Sequence, residues 1–437
     1  MLVKLTENNC EKYRVKLEPA KTKLIAYSRK PFEVFVKIAE ETNNVKIRGK
    51  KIAFSDELEH VGVVRNKNGN LPHIVNRIAK HKKALAAVLF TGAAKSHRGN
   101  PAASLRVHSL YCSSVLLQGI ASLVLTASEV DILDKHFTTT LQNLQHLHSK
   151  TPHAAVHLLA GSLPFKALLA MRQLSLFSMI CHLHDNPLNL HAKHVLTFSP
   201  QSAKSWFFQV RDLCIKYSLP HPLELLTKPV PRDKFKKLVK LKITEFWQYQ
   251  YLSDCSSESL SSLKFLNPSR CSLLRPRPHN VWVTAGSSSY ECNKAIVVAR
   301  MLSGRYRTER LVRFWTNNKE GYCEADTCIE VHGDLEHLLI SCPALHPDRQ
   351  RLYNLWLQKS QLCPPLHHLF QNIISSGPTE QVKFILSPSA HPVILALTQQ
   401  YGKELLDHVY YLTRTFAFNM HRRKSILIGR WKYPHNK

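Results

Sequence analysis

Cys323, Cys328, His337 and Cys342 form a C-x4-C-x8-H-x4-C array inside the stretch CEADTCIEVHGDLEHLLISC. Thiolates and an imidazole at such spacings can close a tetrahedral Zn2+ site of structural type. The first two sulfurs flank a turn. His337 and Cys342 are five residues apart, so one helical turn with some slack sets both beside one ion. Pro343 then stops that turn. His332 competes as the imidazole ligand; His337 is preferred because its helix presents it on the same side as Cys342. The plain alternative is a set of ordinary buried or free thiols. Four ligand residues in so short a stretch weigh against it. Cys292 and Cys363 read as structural thiols.

The charge balance points to a polyanionic partner. Sixty Lys plus Arg against thirty-one Asp plus Glu leave a formal charge of +29, and nucleic acid is the commonest polyanion. Candidate phosphate contacts fall in two groups. Arg77, Lys80, Lys82, Lys83, Lys95 and Arg98 form the first; Lys236, Lys237 and Lys240 belong to the block Arg232–Lys242. Phe246, Trp247, Tyr249 and Tyr251 come next, where basic and aromatic side chains together suit phosphate neutralisation and base stacking. A solvated basic face is the plain alternative for each group. Leu238, Ile243 and Phe246 at helical spacing favour a core role for the aromatics.

Catalytic sets are harder to find. Two-metal nucleotidyl transfer needs clustered carboxylates. The chain has no Asp-Asp pair, and Asp56, Glu57 and Glu59 are scattered. A glycine-rich phosphate loop and a serine or cysteine triad are also missing from the sequence, so neither polymerisation nor a small-molecule substrate is expected of it.

At 437 residues the chain has room for two or three domains. Eleven cysteines, an odd number, argue against a secreted disulfide framework. The longest apolar stretches, near Ser114–Ala127 and Ala154–Met171, are broken by polar residues and proline, so no membrane is expected. A reducing compartment follows, nucleus and cytoplasm.

The positioning elements are mainly α, with a small α/β element at the N-terminus. Short strand-like runs occupy Tyr13–Leu17, Lys23–Tyr27 and 59–64, and basic residues alternating with apolar ones around Gly49 predict a hairpin. Ile74, Ile78, Leu85, Val88 and Leu89 recur at helical spacing. Pro101 opens the next helix, Ser128 caps another, and Gly161-Ser162-Leu163-Pro164 breaks a further pair. Amphipathic segments cover 203–217 and 232–251, and the Ser-, Pro- and Arg-rich stretch 254–289 reads as a linker.

The run GDLEHLLISCPALHPDRQRLYNLW, preceded by ARMLSGRYRTERLVRFW, resembles the C-terminal cysteine-histidine knuckle of non-LTR (LINE-type) retrotransposon reverse transcriptases. Four residues separate the first two cysteines, where that family more often has two or three. KYRVKLEPAKTKLIAYS is similar to the segment after the catalytic aspartates of the palm, with Lys21 and Lys23 near the incoming nucleotide. Glu59-His60-Val61-Gly62-Val63 resembles the primer-grip hairpin. The resemblance implies the end of a truncated palm over residues 1–64 and a helical thumb over 65–150. A helical connector over 151–253, the linker 254–289, a small CCHC zinc module over 290–360 and a helical basic tail over 361–437 would follow. It implies RNA template and target DNA as partners. It also implies a chain that begins after the palm motif and is inactive alone. Two alternatives stand beside it: an incomplete RNA-directed DNA polymerase, needing Mg2+ in its full-length form, and a domesticated zinc-binding protein-interaction module.

Overall fold

From Leu71 onward apolar residues recur every third or fourth position, and the protein is mostly helical there. The computed structural model describes residues 12, 23–24, 46–47, 50–60, 62–66, 69–88, 99–183, 186–200, 204–256, 263–266, 277–312 and 320–427. The expected strand Tyr13–Leu17, Leu89, and the candidate contacts Lys21, Lys95 and Arg98 lie outside these.

The N-terminal strands form three two-stranded pairs. β1 (Lys23–Leu24) runs parallel to β4 (Ala53–Phe54). β2 (Lys46–Ile47) and β3 (Lys50–Lys51) form the hairpin expected around Gly49, with Ile47 opposite Lys50. β5 (Glu57–His60) and β6 (Val63–Asn66) are antiparallel, His60 opposite Val63, and Gly62 between them has φ +76°. That hairpin docks on the first long helix, α1 (Leu71–Val88), through buried polar groups. The Val64 N–H donates to His73 Nδ1 at 3.0 Å, and the Arg77 guanidinium donates to the Gly62 carbonyl.

A first bundle follows. Asn100 caps α2 (Pro101–Val107), which passes through a π-turn (His108–Cys112) into α3 (Ser113–Leu117). α4 (Ala127–Leu144) begins at Thr126, not Ser128: Thr126 and Glu129 form a reciprocal capping box. The signal was present as Thr-x-x-Glu. α5 (His153–Ala160) and α6 (Phe165–Cys181) come next. α7 (Pro187–Phe198), α8 (Trp206–Lys216), α9 (Pro222–Thr227) and α10 (Arg232–Ser256) complete the bundle. Among the described residues no single helix is long and apolar enough to cross a membrane. α5 and α6, bent by 65°, pass that test only as a pair. α6 instead buries residues all round its axis against α4, α8, α9 and α10, as a central helix must.

The second bundle comprises α11 (Asn280–Val283), α12 (Ser289–Leu302), α13 (Glu309–Val312) and α14 (His346–Ser360). α15 (Pro364–Ser375), α16 (Pro378–Leu386), α17 (Pro392–Tyr401) and α18 (Lys403–Leu427) complete it. Trp356 centres its core, with ring centroids 5.2 Å from Phe370, 6.1 Å from Phe384 and 5.2 Å from Phe416.

Packing divides the chain differently from the six expected segments. α4 packs on α5 and α6, so the boundary at 150 falls inside one core. The expected linker 254–289 is core wherever it is described: Leu263, Val281 and Trp282 are fully buried. The Trp282 indole N–H donates to Gln145 Oε1 at 3.3 Å, and the His279 N–H to the Leu159 carbonyl at 2.9 Å. Gly161, at φ +62°, carries the Arg277 backbone so close that a Cβ there would stand 1.8 Å from its carbonyl oxygen. Ser, Pro and Arg set the average composition, while a few apolar residues set the packing. The expected tail 361–437 supplies α15 to α18, and α18 lies against α12, α14, α16 and α17.

Candidate metal centre

The four residues of the C-x4-C-x8-H-x4-C array converge. Their ligand atoms, three sulfurs and an imidazole nitrogen, lie within 4.8 Å of one another, and the group could hold a metal ion. Cys328, His337 and Cys342 are buried and Cys323 is half-buried.

Local structure explains the convergence. Tyr322 and His332 form an isolated antiparallel bridge, and the Cys323 N–H donates to the Val331 carbonyl at 2.7 Å. Between them a turn closes with the Cys328 N–H on the Ala325 carbonyl at 2.8 Å. The other half is a π-turn, His337–Ser341. In an α-helix residues five apart would point about 140° away from each other. The wider turn, closed by the Cys342 N–H on the His337 carbonyl at 2.8 Å, returns both side chains to one side. Asp334 Oδ1 accepts the His337 N–H at 2.8 Å and starts the turn. Buried Arg349 donates to the Cys342 carbonyl at 2.8 Å and holds its end. His332, the competing imidazole, is exposed and stacks near Tyr322 at 5.1 Å.

The electrostatics suit a ligand set. His337 Nε2 is buried with no hydrogen-bond partner, as a nitrogen reserved for a metal would be. Cys328 Sγ and Cys342 Sγ are 3.7 Å apart. The Cys342 thiol beside it holds the Cys323 thiol well below its ordinary range. The same contact, together with burial, pushes Cys342 far upward. Cys292 is buried in α12, and Cys363 is a half-buried residue preceding α15.

The candidate phosphate contacts scatter over several elements. Lys23 is exposed on β1. Lys82 and Lys83 are exposed near the end of α1, whereas Lys80 pairs with Glu59 at 2.9 Å. Arg77 departs from expectation. It is 1% exposed, and it donates to Gln118 Oε1 at 2.8 Å as well as to Gly62. Its spacing from Ile74 and His81 puts it on the inner face of α1, where it ties the hairpin to the bundle and cannot meet a phosphate. Lys236, Lys237 and Lys240 are exposed on α10, whose Phe235, Val239 and Ile243 are buried. Phe246 and Trp247 pack against Tyr217 in the first bundle, and Lys216 lies over all three rings. Tyr249 is exposed.

No protein-family model matches the chain, and no curated protein or solved structure is similar to it.

Proposed function

We propose that this protein binds nucleic acid, as the C-terminal part of a LINE-type reverse transcriptase from the end of the palm onward, and that zinc staples its second bundle. The observation that carries the binding is α10. Arg232, Lys234, Lys236, Lys237 and Lys240 are exposed along its first turns, and no described carboxylate forms an ion pair with any of them. Five uncompensated cations on one helix suit a phosphate backbone. Lys82 and Lys83 add a second exposed pair. The docked hairpin β5–β6 supports the family resemblance, since a primer-grip element must be held rigidly by its neighbours. In this role the chain holds RNA template or target DNA; polymerase chemistry would need clustered carboxylates for Mg2+, and this sequence contains no Asp-Asp pair.

Zinc is favoured by ligand type and by spacing. Two thiolates each about 2.3 Å from a tetrahedral ion stand about 3.8 Å apart, close to the 3.7 Å between Cys328 and Cys342. Such an ion would be structural, with four protein ligands leaving no open position.

Fluorescence anisotropy with labelled RNA and DNA between 50 and 200 mM salt tests the binding, over which range about 10³-fold or more is lost if six phosphates are neutralised. Lys236→Glu, Lys237→Glu and Lys240→Glu together should flatten the log–log salt slope by about 2 to 3. A slope near zero for the wild-type protein would overturn the proposal.

A further inference from the structure

The two bundles meet where α12 ends, and that end gathers cations. The helix stops in a Schellman motif. Gly304, at φ +65°, donates its N–H to the Met301 carbonyl at 3.2 Å, and the Arg305 N–H donates to the Arg300 carbonyl at 3.2 Å. This fold-back brings the Arg305 backbone against that of Arg300, and Arg307 follows two residues later. Opposite is the turn after α4. His146 sits at φ +53°, and its carbonyl accepts Nε and Nη2 of Arg300 at 3.1 and 2.9 Å. The Lys150 N–H donates to His148 Nδ1 at 3.1 Å, so the neutral ring of His148 carries its proton on Nε2.

Burial, then Arg307, Arg305, Arg300 and Lys150 together, hold the His148 imidazole below its ordinary range. The charges that act most strongly on His148, His146 and Arg300 are all cationic. Glu309, the nearest acid in sequence, is buried, with Oε2 paired to Lys424 and Oε1 left without a hydrogen-bond partner. Arg305 Nε is buried without a partner, and neither Arg305 nor Arg307 forms an ion pair among the described residues. A buried unpaired N–H and a cluster of like charges are both unfavourable, and an oxyanion would relieve both. The planar guanidinium fork matches phosphate geometry.

We propose that Arg300, Arg305, Arg307 and His148 form a phosphate-binding notch at the seam between the bundles, occupied by a backbone phosphate of a bound strand. Only the source of the phosphate rests on the nucleic-acid reading; the notch itself does not. Arg300 holds the wall through His146, and Arg305 and Arg307 supply the unpaired donors.

Two probes on the full chain test it. The first is inorganic phosphate at low salt, followed by its 31P line width. Wild-type protein and the Lys236→Gln/Lys237→Gln/Lys240→Gln variant should both broaden the line. Arg305→Gln/Arg307→Gln should abolish the broadening, and Arg305→Lys/Arg307→Lys should keep part of it. The second probe is a labelled single-stranded RNA. Its log–log salt slope should fall by about 0.7 in Arg305→Gln/Arg307→Gln, the share of one phosphate on a single strand. Unchanged broadening together with an unchanged slope would overturn the notch. Lost broadening with an unchanged slope supports a notch that takes a free phosphate ester and not the backbone. If wild-type protein binds no RNA yet broadening follows the arginines, the notch stands and the nucleic-acid reading falls.

Discussion

Residues 71–256 and 277–427 both bury aromatic cores, yet the polar groups trapped inside them differ in kind. The first bundle encloses a set of neutral histidines beside two buried charged residues, Arg77 and Asp134. His81 Nε2 is 3.1 Å from His108 Nε2, its Nδ1 is 3.0 Å from His136 Nε2, and His157 meets Thr138 Oγ1 at 3.1 Å. Burial pushes His81 and His157 down to about 3 and His108 to about 4. The second bundle encloses charges in pairs. Arg414 meets Glu291 at 3.4 Å and the Thr284 carbonyl at 2.9 Å, Lys294 meets Glu291 at 2.7 Å, and Lys424 pairs with Glu309. It also holds the cysteine-histidine cluster. Neutral rings can satisfy one another without leaving a charge in the core. Buried ions need a partner at every site, and a thiolate cluster needs a cation.

Metal removal should separate the bundles most. Cys328→Ser with His337→Ala should abolish metal content and destabilise the second bundle by about 5.5 kcal/mol at an ion concentration 10⁴ times Kd. Calorimetry and metal analysis read this. Equal losses in both bundles would break the comparison, and unchanged metal content would remove the zinc assignment.

Next is the seam. Trp282 is fully buried and hydrogen-bonded across it to Gln145. Trp282→Ala should cost about 3–5 kcal/mol and move the unfolding transitions of the two bundles further apart. A single transition that merely shifts would show that the bundles are one cooperative unit without Trp282.

Acid should act more gently, and chiefly on the first bundle. His81, His108 and His157 have folded pKa values below the unfolded value of about 6.5. Between those values the unfolded chain binds more protons. Stability is therefore full above about pH 6.5 and falls as pH drops toward the folded values, by about 1.4 kcal/mol per pH unit for each independent histidine. His81 and His108 are coupled, so together they yield less than twice that. His279 and His421, each held down to about 4 by burial, give the second bundle a smaller share of the same slope. A chemical-denaturation series from pH 7 to 5 reads the two slopes, and equal slopes would remove the contrast.

Where a feature is encoded by neighbours in the chain, the sequence sufficed. Ligand type and spacing alone picked out Cys323, Cys328, His337 and Cys342, because turns bring such close residues together. Alternation around Gly49 marked the β2–β3 hairpin, and helical spacing marked α1 and α10. The lysines of α10 face solvent because Phe235, Val239 and Ile243 on the same helix face inward. The tertiary structure decided the rest. Arg77 is internal only because Gln118 and Gly62 come to meet it, and Trp282 is core only because Gln145 lies opposite. The arginines at the end of α12 become a cluster only when the turn after α4 closes over them. Periodicity says which residues share a face, whereas burial and charge balance depend on partners distant in the chain, which no local pattern specifies.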